Sequence, residues 1–194
     1  LKFNGSTVGG SSYTAGSGLT LVGTEFNVYG GSGNFEQILF TDENVKLGTD
    51  SYSISSGISI GYQAGSGFTG VGPDNIFIGT NAGSEAFVSS DKAVCIGYNA
   101  GRNGFVDNGA IMGMEAGRNQ YATNAVFLGR SAGYASSWQS SHNSTNAIGI
   151  GTSSLLYAQG AVNSIALGYY AGRAMTGDNN FVVGVEAGYN ITGD

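Results

Sequence analysis

Charged residues are scarce in this sequence, and basic residues especially so. Asp, Glu, Lys and Arg together make up 10% of the 194 residues, against about 25% in an average globular domain. The net charge is −6, and the seven Lys and Arg residues form no cluster. Because nucleic acids and anionic membranes are bound through basic patches, neither is a predicted partner.

Proline, cysteine and histidine are almost absent, with one residue of each. A single Cys95 excludes an intrachain disulfide. A Ser-His-Asp triad or a His-rich metal site would depend on His142 alone. No run of about 18 apolar residues is present, so we predict no membrane insertion, and no signal peptide is recognisable. The start at Leu1-Lys2-Phe3, without Met, is expected of a piece of a longer protein.

Glycine and small polar residues are abundant instead, with 35 Gly in the chain. Long helices need Ala, Leu, Glu, Lys and Arg in quantity, whereas Gly, Ser and Asn with Tyr, Phe, Val and Ile suit short strands and tight turns. Apolar residues make up 41% of the chain, which is enough to form a core and argues against a disordered linker. The composition therefore predicts an all-β protein.

One motif, Asn-x-φ-x-φ-Gly-x-x-Ala-Gly with φ apolar, recurs along the chain. We call the Gly after the second φ the anchor; successive anchors lie 16–22 residues apart. The eight copies are SGISIGYQAG (56–65), DNIFIGTNAG (74–83), KAVCIGYNAG (92–101), NGAIMGMEAG (108–117), NAVFLGRSAG (124–133), NAIGIGTSSL (146–155), NSIALGYYAG (163–172) and NNFVVGVEAG (179–188). A weaker early copy is possible at 44–48. This repetition predicts a β-solenoid or β-roll of about eight coils.

The repeat also divides the chain. We assign residues 51–194 to the repeat array and residues 1–50 to an N-terminal β connector or shaft segment, in which 12–28 reads as two short strands around a Gly turn. Ile191-Thr192-Gly193-Asp194 echoes Met175-Thr176-Gly177-Asp178 sixteen residues later. The array is therefore expected to continue beyond the C-terminal residue.

Both faces of the repeated strand are apolar. We expect the residues three and one before the anchor to line the core of the coil, since side chains alternate across a strand. The residue between them, two before the anchor, is apolar in most copies as well, which is typical of strands buried on both faces. A single thin roll encloses only one face, so the simplest partner for the other is a second copy of the chain. The alternative, a second layer within the chain, lacks enough apolar strands. The residues predicted to pack between copies are Phe77, Cys95, Ile111, Phe127, Ala166 and Val182.

The remaining motif positions predict corners and ladders. We expect the anchor Gly at a turn with positive φ or close backbone approach, the Ala-Gly pair at a small stackable corner, and the opening Asn in a stacked amide ladder. Large apolar residues seven or eight places after the anchor predict a second buried ladder on a return strand. They are Phe68, Phe87, Phe105, Tyr121, Met175 and Ile191.

Four segments resemble known families. NSIALG (163–168) closely resembles the head repeat of trimeric autotransporter adhesins, the YadA-like left-handed β-roll. NAVFLGRSAGY (124–134) and NIFIGTNAG (75–83) resemble repeats of bacteriophage tail fibres, and YTAGSGLTLVGTEFNV (13–28) resembles a motif of phage tail fibre shafts. The resemblance implies a homotrimer of parallel rolls, intertwined or side by side, with the inter-copy residues named above at the trimer axis. The coils here are longer than the YadA-like repeat, and the extra residues are expected to form loops on one edge.

Chemistry-bearing residues are few. Trp138, Gln139, His142 and Asn143 lie in the longest insertion, 134–145, and are the candidate contacts for a glycan or other receptor; the alternative is a solvated loop. Asp74, Asp91, Asp107 and Asp178 recur before strands, where turn chemistry accounts for them better than a cation does. Arg102, Arg118 and Arg173 follow the corner, and Glu115 and Glu186 share a motif position, which favours ion pairs between coils. We predict no catalytic residue, metal or cofactor.

The sequence thus predicts a structural fibre protein of a virion, a phage tail fibre segment that holds or forms a surface for a host glycan or protein receptor. The alternatives are a trimeric adhesin head on a bacterial surface and a carbohydrate-active β-helical enzyme. The acidic residues are spread thinly along the chain, which argues against the enzyme, because glycoside cleavage needs carboxylates close together.

Overall fold

The computed structural model describes residues 57–67, 74–85, 91–136 and 143–192, together with the backbone of five strands before residue 48. This part of the chain is all-β, as predicted, and contains sixteen strands and no helix. The strands are Lys2–Phe3 (β1), Ser6–Thr7 (β2), Leu19–Val22 (β3), Glu25–Val28 (β4), Val45–Leu47 (β5), Ile58–Ile60 (β6), Ile76–Ile78 (β7), Val94–Ile96 (β8), Phe105–Asp107 (β9), Ala110–Met112 (β10), Tyr121–Thr123 (β11), Val126–Leu128 (β12), Asn143–Thr145 (β13), Ile148–Ile150 (β14), Ile165–Leu167 (β15) and Phe181–Val183 (β16).

Nine of these strands form one parallel sheet, in the order β16-β15-β14-β12-β10-β8-β7-β6-β5. Each motif copy supplies one strand, and the weaker early copy supplies β5. The register places equivalent motif positions opposite each other, as in the pairing of Ile111 with Phe127. Because consecutive coils stack in parallel and in register, the chain is a parallel β-solenoid, and the predicted fold class is confirmed.

The chain divides into two compact units, Leu1–Leu39 and Phe40–Asp194. The first unit contains two antiparallel pairs, β1 with β2 and β3 with β4. The second pair, Leu19–Val22 with Glu25–Val28, lies in the segment predicted to form two short strands. In the second unit, β5 pairs in parallel with β6, so the solenoid sheet begins before residue 51.

A second, smaller parallel sheet, β13-β11-β9, forms the return side of three coils. Its inward residues are Val106, Ala122 and Ser144, all buried. Phe105 and Tyr121 are half-buried and lie with ring centroids 6.1 Å apart. The predicted buried ladder is therefore wrong at these two positions, because strand alternation turns the neighbouring residue inward instead.

Elsewhere on the return side, Met175 is fully buried and Ile191 packs against the core. Phe68 and Phe87 lie outside the described residues. Of the described positions, Met175 and Ile191 therefore follow the prediction of a buried ladder.

The eight anchor glycines form a backbone stack. Their φ angles run from 125° to 137°, which L side chains rarely adopt. A Cβ on Gly79, Gly97 or Gly129 would lie 2.6 Å from the carbonyl oxygen of the next anchor. The anchor is therefore Gly for both predicted reasons, its positive φ and the close approach of the next coil.

The Asn that opens each strand is also explained by its corner. Asn108, Asn124, Asn146, Asn163 and Asn179 have φ angles of 50–61°, in the left-handed region that Asn tolerates. The Asn124 amide donates to Asn146 at 3.1 Å, Asn146 to Asn163 at 2.9 Å, and Asn163 to Asn179 at 3.3 Å. The predicted amide ladder is confirmed over four coils.

The core lies on the opposite side of the strand from the one predicted. Residues two before the anchor are buried within one chain: Phe77, Cys95, Ile111, Phe127 and Ala166 are at most 1% exposed and Val182 is 9% exposed. The residues three and one before the anchor are half-buried or exposed in every described copy. The prediction that these six residues pack about a trimer axis is therefore wrong, because their own chain encloses them.

The corner alanines explain why the coil closes on this side. Ala64, Ala82, Ala100, Ala116, Ala132 and Ala171 are fully buried, as the predicted stackable corner requires. The Gly after each of them leaves room for the side chain two before the anchor. A Cβ on Gly101 would lie 2.6 Å from the Cys95 Sγ, and one on Gly133 would lie 2.5 Å from Phe127. Large core residues and corner glycines are thus matched in size.

Cys95 belongs to this packing. Burial raises the pKa of its thiol from 9.0 to about 12, so the thiol stays protonated and neutral at physiological pH. The residue acts as a small apolar core side chain rather than as a nucleophile.

The sixth copy exchanges the sizes of the two matched positions. Gly149 stands two residues before the anchor. Leu155 replaces the corner Gly and has a left-handed backbone, with a φ of 52°. Leu155 is fully buried, and its Cδ1 would lie 3.2 Å from a Cβ on Gly149. The Leu side chain fills the space that Gly149 leaves, so the sheet passes through this coil without interruption.

This exchange predicts a coupling between the two positions. Leu155→Gly opens a cavity and Gly149→Ile overpacks the core, so each single change destabilises. The double variant restores the arrangement of the other coils, and we expect a favourable coupling of about 1–3 kcal/mol. A double-mutant cycle from denaturant unfolding measures it, and additive effects of the two changes would contradict the size exchange.

Candidate functional site

The described surface has one extended apolar face, the outer side of the nine-stranded sheet. We define the outer face as the residues three and one before each anchor: Ile58, Ile60, Ile76, Ile78, Val94, Ile96, Ala110, Met112, Val126, Leu128, Ile148, Ile150, Ile165, Leu167, Phe181 and Val183. Their exposure reaches 42% at Met112 and 41% at Ile150. No charged or polar residue interrupts these positions in the eight copies.

A second column borders the outer face, formed by the residue that follows each anchor. Tyr62, Tyr98, Met114, Tyr169 and Val185 of this column are exposed. With strands about 4.8 Å apart and about 3.3 Å per residue, the eight strands of the outer face measure about 34 Å by 10 Å. The bordering column adds the length of about two residues along each strand and widens the face to about 17 Å.

The predicted receptor contacts are only partly described. Trp138, Gln139 and His142 lie outside the described residues. Asn143 begins β13 on the return side, where it is exposed and pairs in register with Tyr121. Its Oδ1 accepts a hydrogen bond of 3.0 Å from the Thr145 hydroxyl. The structure therefore places Asn143 on the return side, away from the outer face.

Two of the three corner arginines form ion pairs. Arg102 contacts Glu85 of the preceding coil at 2.8 Å, which confirms an ion pair between coils. Arg118 contacts Glu115 of its own coil at 2.8 Å, three residues away, so the predicted pairing between coils is wrong for Glu115. Both pairs are partly exposed, and such pairs contribute at most about 1 kcal/mol.

The third corner arginine has a different environment, which the sequence analysis missed. The Arg173 Cζ lies 5.0 Å from the ring centroid of Tyr170 and 5.3 Å from that of Tyr189. Tyr169 contacts Tyr170 at a centroid distance of 4.3 Å, and a side-chain hydrogen bond with Tyr170 raises the pKa of Tyr169. We call Tyr169, Tyr170, Arg173 and Tyr189 the Arg–Tyr cluster. The signal for it was Tyr170, which occupies the motif position of Glu115.

The described residues offer little else for chemistry. They contain no group of three or more His, Cys, Asp or Glu side chains that could hold a metal ion. Asp74 sits in the left-handed corner with a φ of 66°, and Asp107 ends β9. Within the same residues no helix is long and apolar enough to cross a membrane.

Comparisons of the chain with protein-family models, with curated proteins and with solved structures found no match.

Proposed function

We propose that this chain is a structural segment of a virion fibre, a phage tail fibre, which associates as a homotrimer and carries a receptor-binding surface. The observation that supports the proposal is the outer face, an apolar surface that runs across eight of the nine strands of the sheet. The copies meet through this face, rather than through the residues two before the anchor. A parallel arrangement in register brings equivalent coils of the three chains to the same level.

The size of the outer face favours a self-association surface. It covers about 340 Å² without the bordering column, so Tyr169 stays outside the interface, and it is as large as the apolar patches that are often functional on a monomer. Three such faces that meet about one axis enclose about 1,000 Å² in total, close to the lower end of the roughly 1,200–2,000 Å² buried in a specific interface. In a cyclic trimer each interface joins two different patches, so the outer face of each copy contacts both neighbours, and homo-oligomer interfaces are rich in apolar area.

A second candidate is the head of a bacterial trimeric adhesin, which NSIALG (163–168) favours. Both candidates use the same trimer, so the location of the protein separates them. Antibodies raised against the 194-residue chain label purified virions if the fibre proposal is correct. Labelling of the surface of phage-free bacteria, with virions unlabelled, would instead establish the adhesin.

A further inference from the structure

The Arg–Tyr cluster differs from its nearest equivalent in the same chain at two of four positions, because Met114 and Glu115 stand in the places of Tyr169 and Tyr170. Arg118 also lies near a ring of the next coil, 5.7 Å from the Tyr134 centroid. In the fourth copy, the residue two after the anchor is Glu115, which neutralises Arg118 at 2.8 Å. In the seventh copy the same position is Tyr170, with a φ of 56° that matches the 58° of Glu115. Arg173 therefore stacks on a ring at the place where Arg118 meets a carboxylate.

Arg173 keeps its charge uncompensated. Among the described residues no carboxylate lies within ion-pair distance of it, although Arg102 and Arg118 each have such a partner. Glu186, on the corner of the following coil, also lies beyond that distance. The chain as a whole carries a net charge of −6, so this local cation is not part of a general basic surface.

The two rings hold the guanidinium in place. Tyr170 belongs to the same coil as Arg173 and Tyr189 to the next, so the guanidinium lies close to rings from two levels of the solenoid. A guanidinium on aromatic rings keeps its N–H groups available at its edge, in the fork that matches a carboxylate. Because contacts with rings from two coils already restrict the guanidinium, binding costs less side-chain entropy than it would for an unrestrained arginine.

Exposed ring surface adjoins this fork. Tyr169 is about half exposed, at 48%. It offers an apolar ring for the face of a pyranose and a hydroxyl for hydrogen bonds. A guanidinium fork that binds carboxylates, next to such a ring, fits a sugar that carries a carboxyl group better than it fits a simple anion or a neutral sugar.

We propose that the Arg–Tyr cluster binds a carboxylated saccharide, with the carboxylate on Arg173 and the sugar ring on Tyr169. This names a ligand class for the receptor-binding part of the proposed function and rests on that part alone. It is independent of self-association.

Titration of the 194-residue chain with trigalacturonate, followed by NMR or calorimetry, tests the proposal. We expect saturable binding that is at least about tenfold weaker for the fully methyl-esterified trisaccharide, because esterification removes the charge-assisted bonds. Equal binding of acid and ester, or no saturable binding of trigalacturonate, would overturn the proposal. Competition by acetate at the same concentration would overturn the role of the sugar ring. None of these comparisons needs a variant to fold.

Two variants locate the site. Tyr170→Glu places a carboxylate beside Arg173, as Glu115 stands beside Arg118. Glu is compatible with the backbone at this position, because Glu115 adopts the same conformation in the fourth copy. We expect Tyr170→Glu and Arg173→Gln to weaken trigalacturonate binding at least about tenfold, and the control Arg118→Gln to leave it unchanged. Wild-type affinity in either of the first two variants overturns the assignment. Sedimentation of the same samples reports separately on the trimer, so failure of one proposal is distinguishable from failure of the other.

Discussion

Replacing Gly129 by alanine is expected to destabilise the solenoid by about 2–6 kcal/mol. The φ of 134° costs an L residue about 1–3 kcal/mol. The new Cβ would also lie 2.6 Å from the Gly151 carbonyl oxygen, and overpacking against backbone costs about 1–3 kcal/mol more. Denaturant unfolding followed by circular dichroism measures the loss as a lower midpoint at unchanged slope.

Gly184→Ala is the matched control for this change. Gly184 has nearly the same φ, 128°, but a Cβ there would meet only Ala187 at 3.7 Å. The control therefore carries the cost of the backbone angle without the collision between coils, and we expect it to lose about 1–3 kcal/mol. Equal losses in the two variants would contradict the close stacking of the anchors.

Replacing Ile150 by lysine is expected to abolish self-association while the chain stays folded. Ile150 is 41% exposed on the outer face, so a single solenoid tolerates a charge there. In a trimer the same charge enters an apolar interface without a partner, which costs about 3–5 kcal/mol for each copy. The association constant should fall by at least about a hundredfold, since each 1.4 kcal/mol is a factor of ten.

Tyr157→Lys provides the control for the outer face. Tyr157 is exposed to a similar degree, 37%, but follows the corner of the sixth coil and lies off the outer face. Its φ of 59° resembles the 49° of Lys92, so lysine is compatible with the backbone. Dissociation by Tyr157→Lys, or a native mass unchanged by Ile150→Lys, would show that copies meet elsewhere.

The solenoid was predictable because its signals are local. The anchor Gly, the opening Asn and the Ala-Gly corner each satisfy a backbone requirement of one coil, and their spacing reports the stacking of coils directly. The strand bounds, the parallel register and the amide ladder all follow from this repetition. Even the weak early copy at 44–48 predicted a strand that the structure contains.

The inward side of the strand was not predictable from hydrophobicity. Alternation separates two faces but does not say which is inside when both are apolar. The deciding signal was size: the residue two before the anchor varies from Phe127 to Gly149, and the corner opposite compensates with Gly133 or Leu155. Such compensation is required only inside a closed, densely packed coil.

The candidate sites depended on residues that the motif does not determine. Arg173 follows the corner as Arg102 and Arg118 do, and Tyr169 and Tyr170 distinguish its environment. The ring contacts also involve Tyr189 from the next coil, which the sequence of one repeat does not show. Asn143 could be placed on a strand only after the pairing of β13 with β11 was known.

Sedimentation velocity on the wild-type chain tests the central claim most directly, which is that copies of one solenoid cover the outer face. The proposed trimer predicts a native mass about three times the 19.7 kDa of one chain, with little change over about a hundredfold range of concentration. A folded species of 19.7 kDa across that range would contradict the account, because the apolar outer face would then be stable in water without a partner.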